Sequence, residues 1–159
     1  MNAQQLIKLA IIKHAFKLYD SFLDDATAAM LITDLEQFST VESEAAFLGL
    51  INADIVDEVY EALEETDAIH DAKNEVRGHT DSIETQLTPL TSSRHYEVES
   101  MAMRIEGQWV AWDYLYGGGK HGEPEAYDWI STARLVECEE EEVMITRRTF
   151  HVKQEEVQA

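Results

Sequence analysis

Residues 95–116, HYEVESMAMRIEGQWVAWDYLY, decide the fold class. They are rich in aromatic, β-branched and Met residues, and Glu106-Gly107 divides them at a point suited to a tight hairpin turn. The reading is two antiparallel strands, HYEVESMAMRIE and QWVAWDYLY. The apolar phase of the first strand switches, because Tyr96 and Val98 share one parity while Met101, Met103 and Ile105 share the other. A bulge near Glu99-Ser100 would reconcile them and is expected there. Beyond the hairpin, YDWISTARLVE (127–137) and VMITRRTFHV (143–152) have the same strand character, with Glu139–Glu142 as the turn between them. Pro124 offers an alternative helical start to the first of these. The expectation is an antiparallel meander of about four strands, the usual size of a small sheet.

Upstream the period changes from two to three or four. In Ala3–Leu23 the apolar residues Leu6, Leu9, Ile12, Phe16, Tyr19 and Leu23 recur at helical steps. Asp24 or Asp25 then offers an N-cap for a helix carrying Ala28, Leu31, Leu35 and Phe38. Phe47, Leu48 and Ile51 follow. Asp54 can cap a segment with Ile55, Val56, Val59, Tyr60, Ala62 and Leu63, and a last short helix runs through Ile69, Ala72 and Val76 to Gly78. Between the halves, residues 79–94, HTDSIETQLTPLTSSR, read as a connector rich in Ser and Thr, with Ile83, Leu87 and Leu90 available to pin it to a core. The expected class is therefore α+β: an acidic helical region over 1–78, a connector over 79–94 and an antiparallel β region over 95–159. One core is shared, because each half alone is near the size at which folding becomes marginal.

The 159 residues include 45% hydrophobic ones, enough for a real core, and 32 Asp+Glu against 12 Lys+Arg, a net charge of −20. So few cations leave little with which to build a basic face, which argues against direct nucleic-acid binding. No run approaches the ~20 apolar residues of a membrane span, and no signal-peptide cleavage pattern follows the first residues. Cys138 is the single cysteine. That excludes an intrachain disulfide or a cysteine zinc cluster and fits a reducing, cytoplasmic setting. Its Glu-rich neighbourhood should raise the thiol pKa, so a nucleophilic role is not expected. His14, His70, His79, His95 and His151 show no metal-binding spacing, and no cofactor is expected.

The charge is concentrated. Asp20–Glu75 holds 16 acids and only Lys73 as a base, or −15, whereas the first 19 residues carry three lysines and no acid. That lysine-bearing first helix can neutralise acidic neighbours within the fold or in a second copy, so a homodimer is one expectation. On a wheel with Asp54 at zero, Asp57, Glu58, Glu61 and Glu65 fall within about 60° on either side, while Ile55, Val56, Val59, Tyr60, Ala62 and Leu63 fall opposite. The expectation is one carboxylate stripe, with Glu64, Asp67 and Asp71 nearby. Like charges at such spacings cost about 0.2–0.5 kcal/mol each on an isolated helix. Solubility alone needs a net magnitude of only about 2–8. Carboxylates on successive turns approximate the sign and rough spacing of a phosphate row. The leading expectation is thus a non-enzymatic acidic protein that occupies the basic surface of a DNA- or RNA-handling partner, the class to which anti-restriction and anti-CRISPR inhibitors of phages belong.

The segment WVAWDYLYGGGKHGEPEAYDW (109–129) is the second notable feature, with all three tryptophans and Gly117, Gly118 and Gly119 in a row. It lacks the G-x-x-x-x-G-K-[ST] pattern of a phosphate loop. Trp112, Tyr116, Gly117, Gly118, Gly119, Lys120 and His121 are expected to add shape-specific contact to a partner. An alternative reading is an accessory or assembly protein that binds through this aromatic sheet and loop, with acidity serving solubility. A third is a small metal-dependent hydrolase built on Asp113, His121, Glu123 and Asp128.

Overall fold

The computed structural model describes residues 1–151. Its architecture is α+β, with helices α1 (Ala3–Leu18), α2 (Phe22–Met30), α3 (Glu36–Ser39), α4 (Glu44–Gly49), α5 (Val56–Leu63) and α6 (Asp67–Arg77), then strands β1 (Ile83–Glu84), β2 (Glu97–Ile105), β3 (Gln108–Tyr116) and β4 (Arg134–Val136). The sheet is antiparallel throughout, in the order β1-β2-β3-β4.

α1 is the axle of the molecule. Asn2 and Gln5 close its N-terminus reciprocally: Asn2 Oδ1 accepts from the Gln5 N–H at 2.9 Å, and Gln5 Oε1 accepts from the Asn2 N–H at 3.0 Å. Leu6, Ile7, Leu9, Ile11, Ile12, Ala15 and Phe16 are all buried, so the helix is covered well beyond one stripe. α5 and α6 pack on it from one side and the sheet from another. Phe16, Phe22, Phe38 and Phe47 extend this core beneath α2, α3 and α4 through ring contacts of 4.8–5.5 Å. The single helix expected over Ala3–Leu23 is in fact two. The chain leaves helical geometry at Tyr19, which is exposed, and α2 starts after Ser21, not after Asp24 or Asp25. Those aspartates lie instead in the first turn of α2, where the helix dipole favours them.

The hairpin forms as read. β2 and β3 pair without interruption from Glu97↔Tyr116 to Ile105↔Gln108, so there is no bulge at Glu99-Ser100. Glu106 and Gly107 form the two-residue turn with φ of 48° and 78°, both left-handed. The phase switch has another cause: both faces of this sheet are covered. Met101, Met103, Ile105, Val110 and Trp112 face the helices. On the other face Ser100, Ala102, Ala111 and Asp113 are also buried. The connector first extends the sheet edge, where β1 pairs with β2 and the Thr85 N–H donates to the Ser100 carbonyl at 2.8 Å, and then crosses this face, where the Thr91 N–H donates to Asp113 Oδ2 at 2.7 Å. A strand buried on both sides need not alternate.

Two expected strands require correction. Of 127–137 only Arg134–Val136 is a strand. A 3-10 turn at Pro124–Ala126 precedes that segment, in line with the helical start that Pro124 offered, and a second at Ile130–Thr132 occupies its first part, with Trp129 and Ile130 buried in the core. Residues 143–151 form no strand and are exposed, and Val152 lies outside the described residues. Glu139–Glu142 is accordingly not a hairpin turn. Four adjacent like charges oppose the closure of a turn, so the outer edge of the three-residue β4 stays unpaired despite the β propensity that follows it. At the hairpin end of the sheet, the His14 ring meets the His79 ring edge-on at 5.4 Å. Burial, then the His79 and Lys17 charges, hold the His14 pKa below its usual value, against the opposing pull of Glu75.

Candidate functional site

The acidic stripe is partly dismantled by the fold. α5 starts at Val56 with Ile55 at its cap position, so Asp54 does not cap it. Asp54 sits in the preceding turn, exposed, its N–H donating to Asn52 Oδ1 at 2.9 Å. Asp57 turns towards α1. Its carboxylate accepts from Lys8 Nζ at 2.7 Å and from Gln5 Nε2 at 2.9 Å, and these two bonds, the lysine's first, hold its pKa below the usual carboxylate value. The lysine-bearing first helix thus closes within the fold at this point, and again where Lys13 pairs with Glu106. Asp57 is a staple between α1 and α5 and drops out of the docking row.

Glu58 and Glu61 remain exposed on α5, Glu64 follows at its C-cap, and Glu65 lies in the turn before Thr66, the N-cap of α6. Asp67 is exposed at the start of α6, while Asp71 accepts from the Tyr19 hydroxyl and raises that phenol's pKa. Of the 16 acids from Asp20 to Glu75, all but Asp57 and Asp71 are exposed, which leaves 14. Among the described residues Lys and Arg form only three ion pairs, and one of them, Lys8–Asp57, involves this window.

One residue escaped the sequence reading. Tyr60 is buried between α1 and α5, and its hydroxyl has no hydrogen-bond partner. It lines a shallow cleft of about 220 Å³ with Glu61, Glu64, Asp128, Lys8 and Lys73. Burial, then the Glu64 and Asp128 charges, push its pKa well above the ordinary phenol value. The hydroxyl is closed off from solvent, and Lys8 Nζ lies 5.5 Å from the ring centroid, so the cleft presents the carboxylates of Glu61, Glu64 and Asp128 beside two lysines of this chain. The i,i+4 placement of Tyr60 and Glu64 was the available signal.

The loop behaves differently from expectation. Trp112 is fully buried against Trp129, and its indole N–H donates to the Arg77 carbonyl at 3.1 Å, so it is core and offers no docking surface. The Tyr116 hydroxyl lies 2.9 Å from Glu97 and 2.7 Å from Glu99, which raise its pKa, Glu99 most. Gly117, Gly118 and Gly119 all have positive φ, and a Cβ on Gly118 would lie 2.6 Å from the Tyr96 ring. The glycine run therefore answers a steric need of the turn over Tyr96. Lys120 is exposed, and the His121 side chain lies outside the described residues. Asp113, a candidate catalytic acid, is wholly buried on the connector side. It accepts from the Thr91 N–H at 2.7 Å and from Arg134 Nη1 at 3.2 Å, and Arg134 Nη2 donates to Ser100 Oγ at 3.0 Å. The described residues contain no group of three or more His, Cys, Asp or Glu placed to hold a metal ion, and no helix among them is long and apolar enough to cross a membrane.

No protein-family model, curated protein or solved structure matches this chain.

Proposed function

We propose that the chain is an acidic binding protein whose carboxylate face, centred on Glu58, Glu61, Glu64 and Glu65, occupies a basic surface that a partner otherwise uses for DNA or RNA. The observation that carries this reading is the near-absence of internal neutralisation: Asp57 alone of the acids between Asp20 and Glu75 forms an ion pair. Uncompensated charge on one layer of a small domain steers a cationic surface towards it over roughly a Debye length, ~10 Å at 0.1 M salt. The alternative reading, docking through the aromatic sheet, loses Trp112 and Trp129 to the core.

The test is capture of basic nucleic-acid-handling proteins from host extract on the immobilised full chain, at low and high salt, with duplex DNA as competitor. Capture should fall steeply with salt and with DNA. The triple change Glu58→Lys, Glu61→Lys, Glu64→Lys should abolish it while leaving circular dichroism unchanged. Asp57 is left intact in that variant because it holds α1 to α5. Capture that survives the triple change would remove the carboxylate face from consideration.

A further inference from the structure

We propose that residues 139–149 pair, antiparallel and about a two-fold axis, with the same segment of a second copy of this chain. This inference is independent of the acidic face, and its partner is set by the segment's own charge order.

β4 is an edge strand with a neighbour only on the β3 side. The chain leaves it through residues 137–151, which have no regular structure; from Cys138 to His151 no hydrogen bond or ion pair ties them to the rest of the described chain. Yet Val143, Met144, Ile145 and Phe150 stand 66–101% exposed within eight residues. Val143, Ile145, Thr146 and Thr149 are β-branched, so the stretch has strand propensity, yet it pairs with no edge of its own chain.

The order of residues specifies that edge. Glu139–Glu142 come first, then the uncharged Val143–Thr146, then Arg147 and Arg148. A two-fold axis perpendicular to an antiparallel ribbon sets each residue opposite its mirror position and keeps faces matched. With the axis through Met144, Glu141 faces Arg147 of the second copy and Glu140 faces Arg148, while Val143 faces Ile145. The symmetry doubles each contact, giving four Glu–Arg pairs and two Val–Ile pairs. Moving the axis to Val143 or Ile145 keeps only one Glu–Arg pair per half, and moving it to Thr146 keeps none. Parallel pairing sets Glu against Glu and Arg against Arg. Opposite charges across a pair favour it and like charges oppose it, so one register stands out from its neighbours. A lone two-stranded ribbon is marginal. Dimerisation should therefore be reversible and salt-sensitive.

Sedimentation equilibrium on the full chain tests this. The wild type should dimerise with a dissociation constant below about 100 μM at low salt. R147E/R148E, with one sign along the segment, should weaken it at least tenfold, as should E140R/E141R. An equimolar mixture of the two variants restores four opposite-charge pairs and should form a heterodimer within about threefold of the wild-type affinity. A monomeric wild type, unaltered dimerisation in either variant, or no heterodimer from the mixture would each overturn the proposal. The register has its own readout. Met144 faces its own copy at a Cα separation of about 4.5–5.5 Å, within disulfide range, so M144C in a C138S background should cross-link under mild oxidation. Cys138 and its copy would lie roughly 40 Å apart at 3.4 Å per residue, so the wild type should not cross-link. A dimer that fails to cross-link through position 144 would refute this register and with it the proposal.

Discussion

Replacing Arg134 by Met should destabilise the fold by about 2–4 kcal/mol. Among the described residues Arg134 Nη1 is the only cation on Asp113, whose side chain is completely buried, and Nη2 serves Ser100 Oγ, another buried polar group. Removing one partner of a buried ion pair costs about 3–5 kcal/mol, since the remaining charge stays desolvated. Two features reduce that here. The Arg134 side chain is 22% exposed, so water reaches the site, and the Thr91 N–H still serves Asp113 at 2.7 Å. Asp113→Asn keeps the shape and an acceptor for Thr91, so paired with R134M it should recover 1 kcal/mol or more of the loss, as roughly expected for groups within one network. The assay is urea unfolding followed by tryptophan fluorescence, which suits a protein with Trp112 and Trp129 fully buried beside this node. A single-variant loss under about 0.5 kcal/mol, or a double variant whose loss equals the sum of the singles, would refute the account of Asp113 as a buried clamp on the connector.

Further outcomes follow from the same structure. Asp57→Asn should cost about 1 kcal/mol, a charge-assisted contact discounted because the Asp57 side chain is 45% exposed. Because the native pKa of Asp57 is depressed, its contribution is present above the usual 3.8 and disappears as pH falls through the lower native value, so D57N should flatten the acid limb of a stability–pH curve. His14 also has a lowered native pKa; its contribution is complete above 6.5 and is lost as pH falls through the native value, so His14→Gln should reduce the loss of stability on mild acidification. Gly118→Ala should cost at least 1 kcal/mol more than Gly119→Ala in thermal unfolding, because both have positive φ but only Gly118 would place a Cβ against the Tyr96 ring. In a Lys13→Met background, where the Lys13–Glu106 pair is already gone, Glu106→Asn should stabilise the hairpin turn by roughly 0.5–1 kcal/mol, since asparagine tolerates the left-handed φ of 48° better than glutamate.

The hairpin over 95–116 was legible because alternation and a Glu-Gly turn act locally, and the helices of the first half because their periods do too. What escaped depends on partners distant in sequence. A helical wheel places Asp57 among its acidic neighbours, but Lys8, 49 residues earlier, decides where its carboxylate goes. The bulge at Glu99-Ser100 was inferred on the premise that one face of β2 is buried; the connector, folded back over the other face, removes the need for it. Trp112 shares its face with Val110 and with Met101 and Met103 opposite, a parity already present in the sequence and pointing inward, although aromatic richness suggested an interface. The strand character of 143–151 is real as propensity, but within one copy no edge receives it.

The burial of α1 well beyond a single stripe also shapes how the protein is made. Its apolar surface emerges from the ribosome more than a hundred residues ahead of β4, and Gln4 in its first turn reaches the Ser131 carbonyl only when that distant stretch exists. At roughly 5–20 residues per second, the greasy rod waits several seconds or more for its cover. During that interval it is a natural ligand for holdase chaperones, and expression yield should respond more to their abundance than the stability of the finished domain suggests.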